Sequence, residues 1–242
     1  MRQCYNAGDI NAWHQRIRLI INPLTIEREM AAPNKEVLPA IIASDQVGLD
    51  EMLDQVKDFA EYIMLDLMDG KFVHASSLDF PMKLPEGLRY QFHVMAIDPI
   101  QRLRDTPNEV DTLVLHAEAL DEIGMAIEAA REKKVKLFIA LNPETPVSVL
   151  DPYLDRLEGV LIMSVNPGQY GAKFLPEQLE KVRAVRDKSE TITIEVDGGM
   201  NHKTMGAAVE AGANQVASGS YIMKSSDPEA AYGSLKALFL TL

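Results

Sequence analysis

Residues 194–199 read Ile194-Glu195-Val196-Asp197-Gly198-Gly199, and residues 215–220 read Gln215-Val216-Ala217-Ser218-Gly219-Ser220. Each is a short apolar run that closes on a polar residue beside glycine, and the stretch between them, Lys203–Ala211, has a helical period. A strand, a helix and a second strand in that order form a parallel crossover, and the pattern repeats backward along the chain. Strands are expected at Val37–Ala43, Tyr62–Asp66, Tyr90–Met95, Thr112–His116, Lys136–Leu141, Val160–Ser164, Thr191–Val196 and Gln215–Ser218. Helical segments are expected at Gly48–Phe59, Pro99–Arg104, Asp121–Glu132, Pro146–Leu154, Pro176–Val185, Lys203–Ala211 and Pro228–Phe239. Eight such units in about 205 residues, with no Pro/Gly/Ser-rich linker, predict a single (β/α)8 TIM barrel over residues 35–242. The competing architecture is an open doubly wound sheet, but no G-x-G-x-x-G turn follows the first strand.

Residues 1–34 are set apart as an N-terminal extension. They hold the single Trp (Trp13) and the single Cys (Cys4), show no sustained periodicity, and end in Met30-Ala31-Ala32-Pro33-Asn34. Met30 is a candidate true start, with the residues before it an upstream extension, and Arg16–Ile26 is a candidate short helix. Across the 242 residues, 24 Lys+Arg against 36 Asp+Glu leave a net charge of −12. That field repels phosphate backbones and acidic lipid surfaces, so neither nucleic acid nor membrane is expected as a partner. No apolar stretch is long enough to span a bilayer, since Ile17–Leu24 is broken by Arg18, Asn22 and Pro23. One cysteine makes neither an internal disulfide nor a thiolate metal cluster, which points to the cytoplasm.

In a barrel of this kind the chemistry sits at the carboxyl ends of the strands. Those ends carry Ser44 and Asp45, Asp66 and Asp69, His93, His116 and Glu118, Asn142, Ser164 and Asn166, Asp197, and Ser218 and Ser220. The glycines after Asp197 and Ser218 let the backbone approach a ligand and free N–H groups for an anion, and loops after the seventh and eighth strands form a recurrent phosphate cradle. Tight turns alone are the other reading. Asp66 and Asp197, on strands two and seven, face one another across the mouth and can act as base and acid on two faces of one carbon. The competing reading is that each caps the following turn. His93 between two carboxylates is a candidate divalent-metal ligand or a hydrogen-bonded strand histidine. Met68, Met95 and Met163 form an apolar lid or fill core.

Taken together, Leu65-Asp66-Leu67-Met68-Asp69-Gly70-Lys71-Phe72-Val73, Phe92-His93-Val94-Met95, His116-Ala117-Glu118-Ala119, Met163-Ser164-Val165-Asn166-Pro167-Gly168, Glu195-Val196-Asp197-Gly198-Gly199 and Ser218-Gly219-Ser220 resemble the ribulose-phosphate 3-epimerase family over about Val37–Phe239. The resemblance implies a metal-dependent isomerase that interconverts D-ribulose 5-phosphate and D-xylulose 5-phosphate through a 2,3-enediolate. Asp66 and Asp197 match its acid/base pair, and Asp66, His93 and Asp197 match metal ligands for Zn, Mn or Fe. Gly168, Gly171, Gly198, Gly199, Gly219 and Ser220 match sugar-phosphate contacts, as His93 matches a substrate contact. Met68, Met95 and Met163 match the apolar cap, and a homo-oligomer is implied.

The sequence departs from the family at three places. Met64 stands where the family has a histidine ligand, Ala40 replaces a substrate-contacting serine, and Gly168-Gln169-Tyr170-Gly171 places a bulky Tyr170 where a glycine is expected. A thioether does not substitute for imidazole on Zn²⁺ or Mn²⁺, so the expected site has three protein ligands, or a fourth nitrogen from His74, or is a metal-free variant in which His93 donates to the enediolate. The altered pocket also admits an epimerase for another ketose phosphate, such as a hexulose 6-phosphate. A non-catalytic sugar-phosphate binder has no need of two opposed carboxylates. A Schiff-base aldolase is disfavoured because no lysine stands at an expected strand end.

Overall fold

A computed structural model describes residues 35–168 and 171–241. The expected extension over residues 1–34, its candidate helix and Tyr170 lie outside the described residues. All eight expected strands are present as β1 (Glu36–Ile41), β2 (Tyr62–Asp69), β4 (Arg89–Met95), β5 (Val110–His116), β6 (Lys136–Leu141), β7 (Gly159–Met163), β8 (Thr193–Asp197) and β9 (Gln215–Ser218), with a two-residue β3 (Ser76–Ser77) added after β2. The eight pair in parallel in sequence order, and β1 pairs with both β2 and β9, so the sheet closes on itself. Closure removes the exposed edges an open sheet would have to protect.

Alternation along each strand sorts its side chains between two environments. Leu38, Ala40, Tyr62, Met64, Val114, Phe138, Ala140, Leu161, Met163 and Ala217 pack together inside the barrel. Their neighbours Val37, Ile41, Ile63, Leu65, Leu113, Leu115, Ile139 and Ile162 pack outward against the helical layer. That layer holds α1 (Gln46–Asp54), α2 (Pro99–Asp105), α3 (Ile123–Lys133), α4 (Leu179–Arg186), α5 (Met205–Glu210), α6 (Ser220–Met223) and α7 (Pro228–Thr241). Ile123, Ala126, Ile127 and Ala130 form the buried stripe of α3 at helical spacing.

Two elements differ from the sequence expectation. β2 runs three residues beyond Asp66, because Leu67 and Met68 continue the parallel ladder to Val94 and Met95, and Met68 and Asp69 pair antiparallel with Ser77 and Ser76 of β3. The expected helix Pro146–Leu154 is instead two 3₁₀ turns, Val147–Leu150 and Leu154–Arg156. Pro152, between them, has no N–H to carry a helical ladder through, and Val147 and Val149 are β-branched.

Candidate active site

Because Asp66, His93 and Asp197 continue the inward-facing rows through Met64, Gln91 and Glu195, all three project into one mouth of the barrel. Asp66 and His93 are register partners on adjacent strands, which brings His93 Nδ1 to 3.0 Å from Asp66 Oδ1. The same nitrogen lies 3.6 Å from Asp197 Oδ2. One ligand atom from each of the three residues falls within 4.8 Å of the others. His74, considered as a fourth nitrogen, is exposed and lies outside this group.

The electrostatics of the cluster follow from burial. Burial pushes the Asp66 carboxyl up to about 7, with the His116 charge working the other way. Asp197 is likewise raised to about 7, by burial first and then by the negative charge of Asp66. Burial lowers His93, which the Asp197 carboxylate only partly offsets. Two desolvated carboxyls and a neutral imidazole facing one point form an N/O donor set with an excess of negative charge. A divalent cation relieves that charge, and N/O donors suit first-row metals, so the residues fit such an ion.

Above the triad the loops after β7, β8 and β9 meet around an open cavity of about 610 Å³, counting its mouth. Its walls include Ala40, Met68, Met95, Met163, Gly168, Gly171, Gly198, Gly199, Gly219 and Ser220 along with both aspartates. Every expected glycine, Ser220 and all three methionines thus reach one space, with His93 buried against the two aspartates that line it. The carbonyls of the β8 loop are tied from outside. Ser164 Oγ donates to Asp197 O (2.9 Å) and Gly198 O (2.7 Å), and Thr204 Oγ1 donates to Gly199 O (2.8 Å). Among the described residues the Gly199 N–H has no acceptor, which leaves it for a ligand. Met68 and Met95 pack on Val73 as a small separate cluster, whereas Met163 belongs to the barrel interior.

Over residues 36–223 the chain matches the model of the "Ribulose-phosphate 3 epimerase family". The chain belongs to that family. A ribulose-phosphate 3-epimerase of Bacillus subtilis is 33% identical over 83% of this chain and 98% of its own length. The cytoplasmic isoform from Oryza sativa subsp. japonica is 32% identical over 82% of this chain and 91% of its own length. Among solved structures, 3-hexulose-6-phosphate synthase from Salmonella typhimurium shares the fold, with a TM-score of 0.62 at 14% identity, over 85% of this chain and 99% of that one.

Other polar strand ends have structural work. Asp45 caps α1 by accepting from the Gly48 N–H at 2.9 Å. Asp69 accepts from Lys71, Phe72 and Ile97 N–H groups and so organises the turn after β2. Sequence reading missed a buried amide and acid layer beneath the triad: Gln91 Nε2 donates to Glu195 Oε2 at 2.5 Å, and Gln215 Nε2 donates to Gln91 Oε1 at 2.9 Å. Burial raises Glu195 well above the usual range, which the Gln91 hydrogen bond counters in part. The signal was available, because Gln91 and Glu195 stand two residues before His93 and Asp197 and share their face. At the mouth itself, His116 Nε2 lies 2.8 Å from His93 Nε2, a contact that strand order alone does not reveal.

Proposed function

We propose that the protein is a divalent-metal-dependent isomerase that inverts C3 of D-ribulose 5-phosphate to give D-xylulose 5-phosphate. The observation that carries this reading is that Asp66 and Asp197 both reach His93 Nδ1, at 3.0 and 3.6 Å, from different strands under one glycine-lined cavity. One aspartate removes the C3 proton, which the neighbouring C2 carbonyl acidifies, and charge passes to oxygen as a 2,3-enediolate. The other aspartate returns a proton to the opposite face, and C3 is inverted with no net change in composition. Asp66, His93 and Asp197 would hold the metal, which when bound supplies positive charge against the enediolate. Gly198, Gly199, Gly219 and Ser220, with Gly168 and Gly171 opposite, take the phosphate. Met68, Met95 and Met163 cover the sugar and exclude water. The reading places the enzyme in the cytoplasm as a homo-oligomer, on family membership and the cytoplasmic rice relative.

Incubation with D-ribulose 5-phosphate in D₂O, followed by NMR at C3, tests the reading. Deuterium uptake with formation of xylulose 5-phosphate is expected, and it should disappear on chelation and return with Mn²⁺ or Zn²⁺. Uptake that persists after complete metal removal overturns the metal dependence. Ala40, a methyl at the cavity wall where the family has a serine, leaves space for a longer sugar. Faster exchange on a hexulose 6-phosphate than on the pentulose would therefore move the assignment to that substrate.

The same reading makes a prediction at Met64, which is fully buried two residues before Asp66 on the same face. Met64→His adds an imidazole to a three-residue donor set. Mn²⁺ affinity, read by chelator competition, should rise by ~10-fold or more if the ring reaches the ion. An unchanged affinity shows that the row below Asp66 does not face the metal.

A further inference from the structure

A line of nitrogen and oxygen atoms runs from the triad to the edge of the barrel mouth. His93 turns Nδ1 toward Asp66 and Asp197 and places Nε2 2.8 Å from His116 Nε2. The two ring centroids are 5.0 Å apart and the planes 18° from parallel. With the nearest nitrogens at 2.8 Å, the rings meet edge to edge and share a hydrogen bond rather than stacking face to face. On its far side His116 Nδ1 lies 3.4 Å from Glu118 Oε2, a long contact without a well-aligned hydrogen bond. Glu118 Oε1 accepts from the Asn142 backbone N–H at 2.9 Å. Lys181 Nζ pins that loop by donating to Asn142 O (2.8 Å) and Pro143 O (2.7 Å).

Acceptor-only carboxylates stand at both ends of this line, Asp66 Oδ1 3.0 Å from His93 Nδ1 and Glu118 Oε2 3.4 Å from His116 Nδ1. Glu118 draws the hydrogen of a neutral His116 to Nδ1, as Asp66 draws that of His93 to its own Nδ1, and the 2.8 Å approach of the two Nε2 atoms lets only one end prevail. The buried Asn142 Oδ1, which has no hydrogen-bond partner of its own, adds a second acceptor near that ring. Where the outer end prevails, His116 Nε2 is bare and accepts from His93 Nε2–H, which leaves the His93 Nδ1 lone pair for a cation held with the two carboxylates. The opposite direction would put a hydrogen on His93 Nδ1 and fill the ligand position with an N–H···O bond to Asp66.

We propose that Glu118 and His116 are positioning residues that fix the tautomer of His93, so that its Nδ1 lone pair is presented to a divalent cation held with Asp66 and Asp197. The inference rests on the metal-dependent reading above and assigns work to two residues that touch neither substrate nor metal. Outer-shell partners of metal-bound histidines contribute ~10–100-fold in metal affinity through this kind of orientation.

The test uses the full chain labelled with ¹⁵N-histidine. Long-range ¹H–¹⁵N spectra of the metal-free protein at about pH 8, where an exposed imidazole is neutral, should show His93 protonated at Nε2 and His116 at Nδ1. In Glu118→Gln the Asn142 N–H retains the carbonyl oxygen, so the amide N–H₂ group faces His116. That variant should shift the His93 hydrogen toward Nδ1 and weaken Mn²⁺ binding by ~10–100-fold in chelator competition, with unchanged circular dichroism. Glu118→Asp, which keeps an acceptor-only group, should preserve the tautomers and recover much of the affinity. Mn²⁺ binding by wild type with His93 protonated at Nδ1 overturns the proposal, as does a Glu118→Gln protein with unaltered tautomers and affinity. Wild-type protein with the expected tautomers that binds no Mn²⁺ overturns the metal reading, and with it the role assigned to the pair.

Discussion

Asp66→Asn and Asp197→Asn are each expected to lower epimerisation of D-ribulose 5-phosphate by ~10²–10⁴-fold, the range general acid–base groups contribute, and more if metal is also lost. Epimerisation needs a proton taken from one face and delivered to the other, so an intact aspartate on one side does not complete the reaction. Each substitution also turns one of the two carboxylates of the donor set within 4.8 Å into a neutral amide, a weaker ligand. Formation of xylulose 5-phosphate should therefore fall in both variants, while the surviving aspartate can still exchange the C3 proton of the sugar that presents it to that face. Thermal stability should move the other way or stay level. Burial raises both carboxyls, and Asp66 raises Asp197 further, so folding confines two acids that disfavour each other's ionised form. A neutral amide at either position removes that repulsion, and at position 66 its N–H₂ can donate to His93 Nδ1. Loss of activity with Tm preserved is the signature of a site whose charges serve chemistry rather than folding. Retained epimerisation in either variant sinks the two-aspartate assignment, whereas deuterium exchange without inversion is what a surviving base on one face produces.

How much of this was legible in the sequence depends on the kind of information involved. The barrel was readable because parallel strands buried on both faces appear as apolar runs, and each run is followed by a helical segment. Asp66, His93 and Asp197 were readable as strand-end polar residues, although β2 in fact continues to Asp69. The extension of β2 rests on parallel pairing of Leu67 and Met68 with Val94 and Met95 and, for its last step, on Ser76 and Ser77 across a turn that Asp69 organises by accepting three N–H groups. Nothing in the local pattern of residues 62–69 encodes such a partner. The His93 to His116 contact was hidden for a related reason. Both residues were candidates, but a 2.8 Å approach depends on strand stagger and rotamers, which a single sequence does not specify. Gln91 and Glu195 were overlooked because polar residues in the middle of a strand look like exposed positions until the barrel's closure turns both inward.

Gly198→Ala is expected to be the most damaging single-atom change in the phosphate-side loop. Gly198 has φ +107°, which L side chains rarely adopt, and a Cβ there would lie 2.5 Å from Val165 Cγ2 and 2.8 Å from Val165 Cγ1. The backbone cost is about 1–2 kcal/mol and the overpacking about 1–3 kcal/mol, so a Tm lower by ~5–15 °C is expected. The loop has little freedom to yield, because Ser164 Oγ holds the carbonyls of both Asp197 and Gly198. Whatever shift relieves the clash is therefore passed to the Asp197 backbone, and a misplacement near 1 Å at a reacting group costs ~10²-fold in rate. The Gly198→Ala variant should lose kcat as well as stability, and a raised KM should follow if the neighbouring Gly199 N–H contacts the phosphate. Val165→Ala in the same chain separates the two causes. It removes both Cγ atoms and the two shortest contacts, but leaves Val165 Cβ at 3.0 Å and the substituted position at positive φ. The double variant should recover part of the Tm and most of the kcat. Equal Tm and kcat for Gly198→Ala and wild type would show that the loop adapts freely, and that Asp197 is not held by the contacts described.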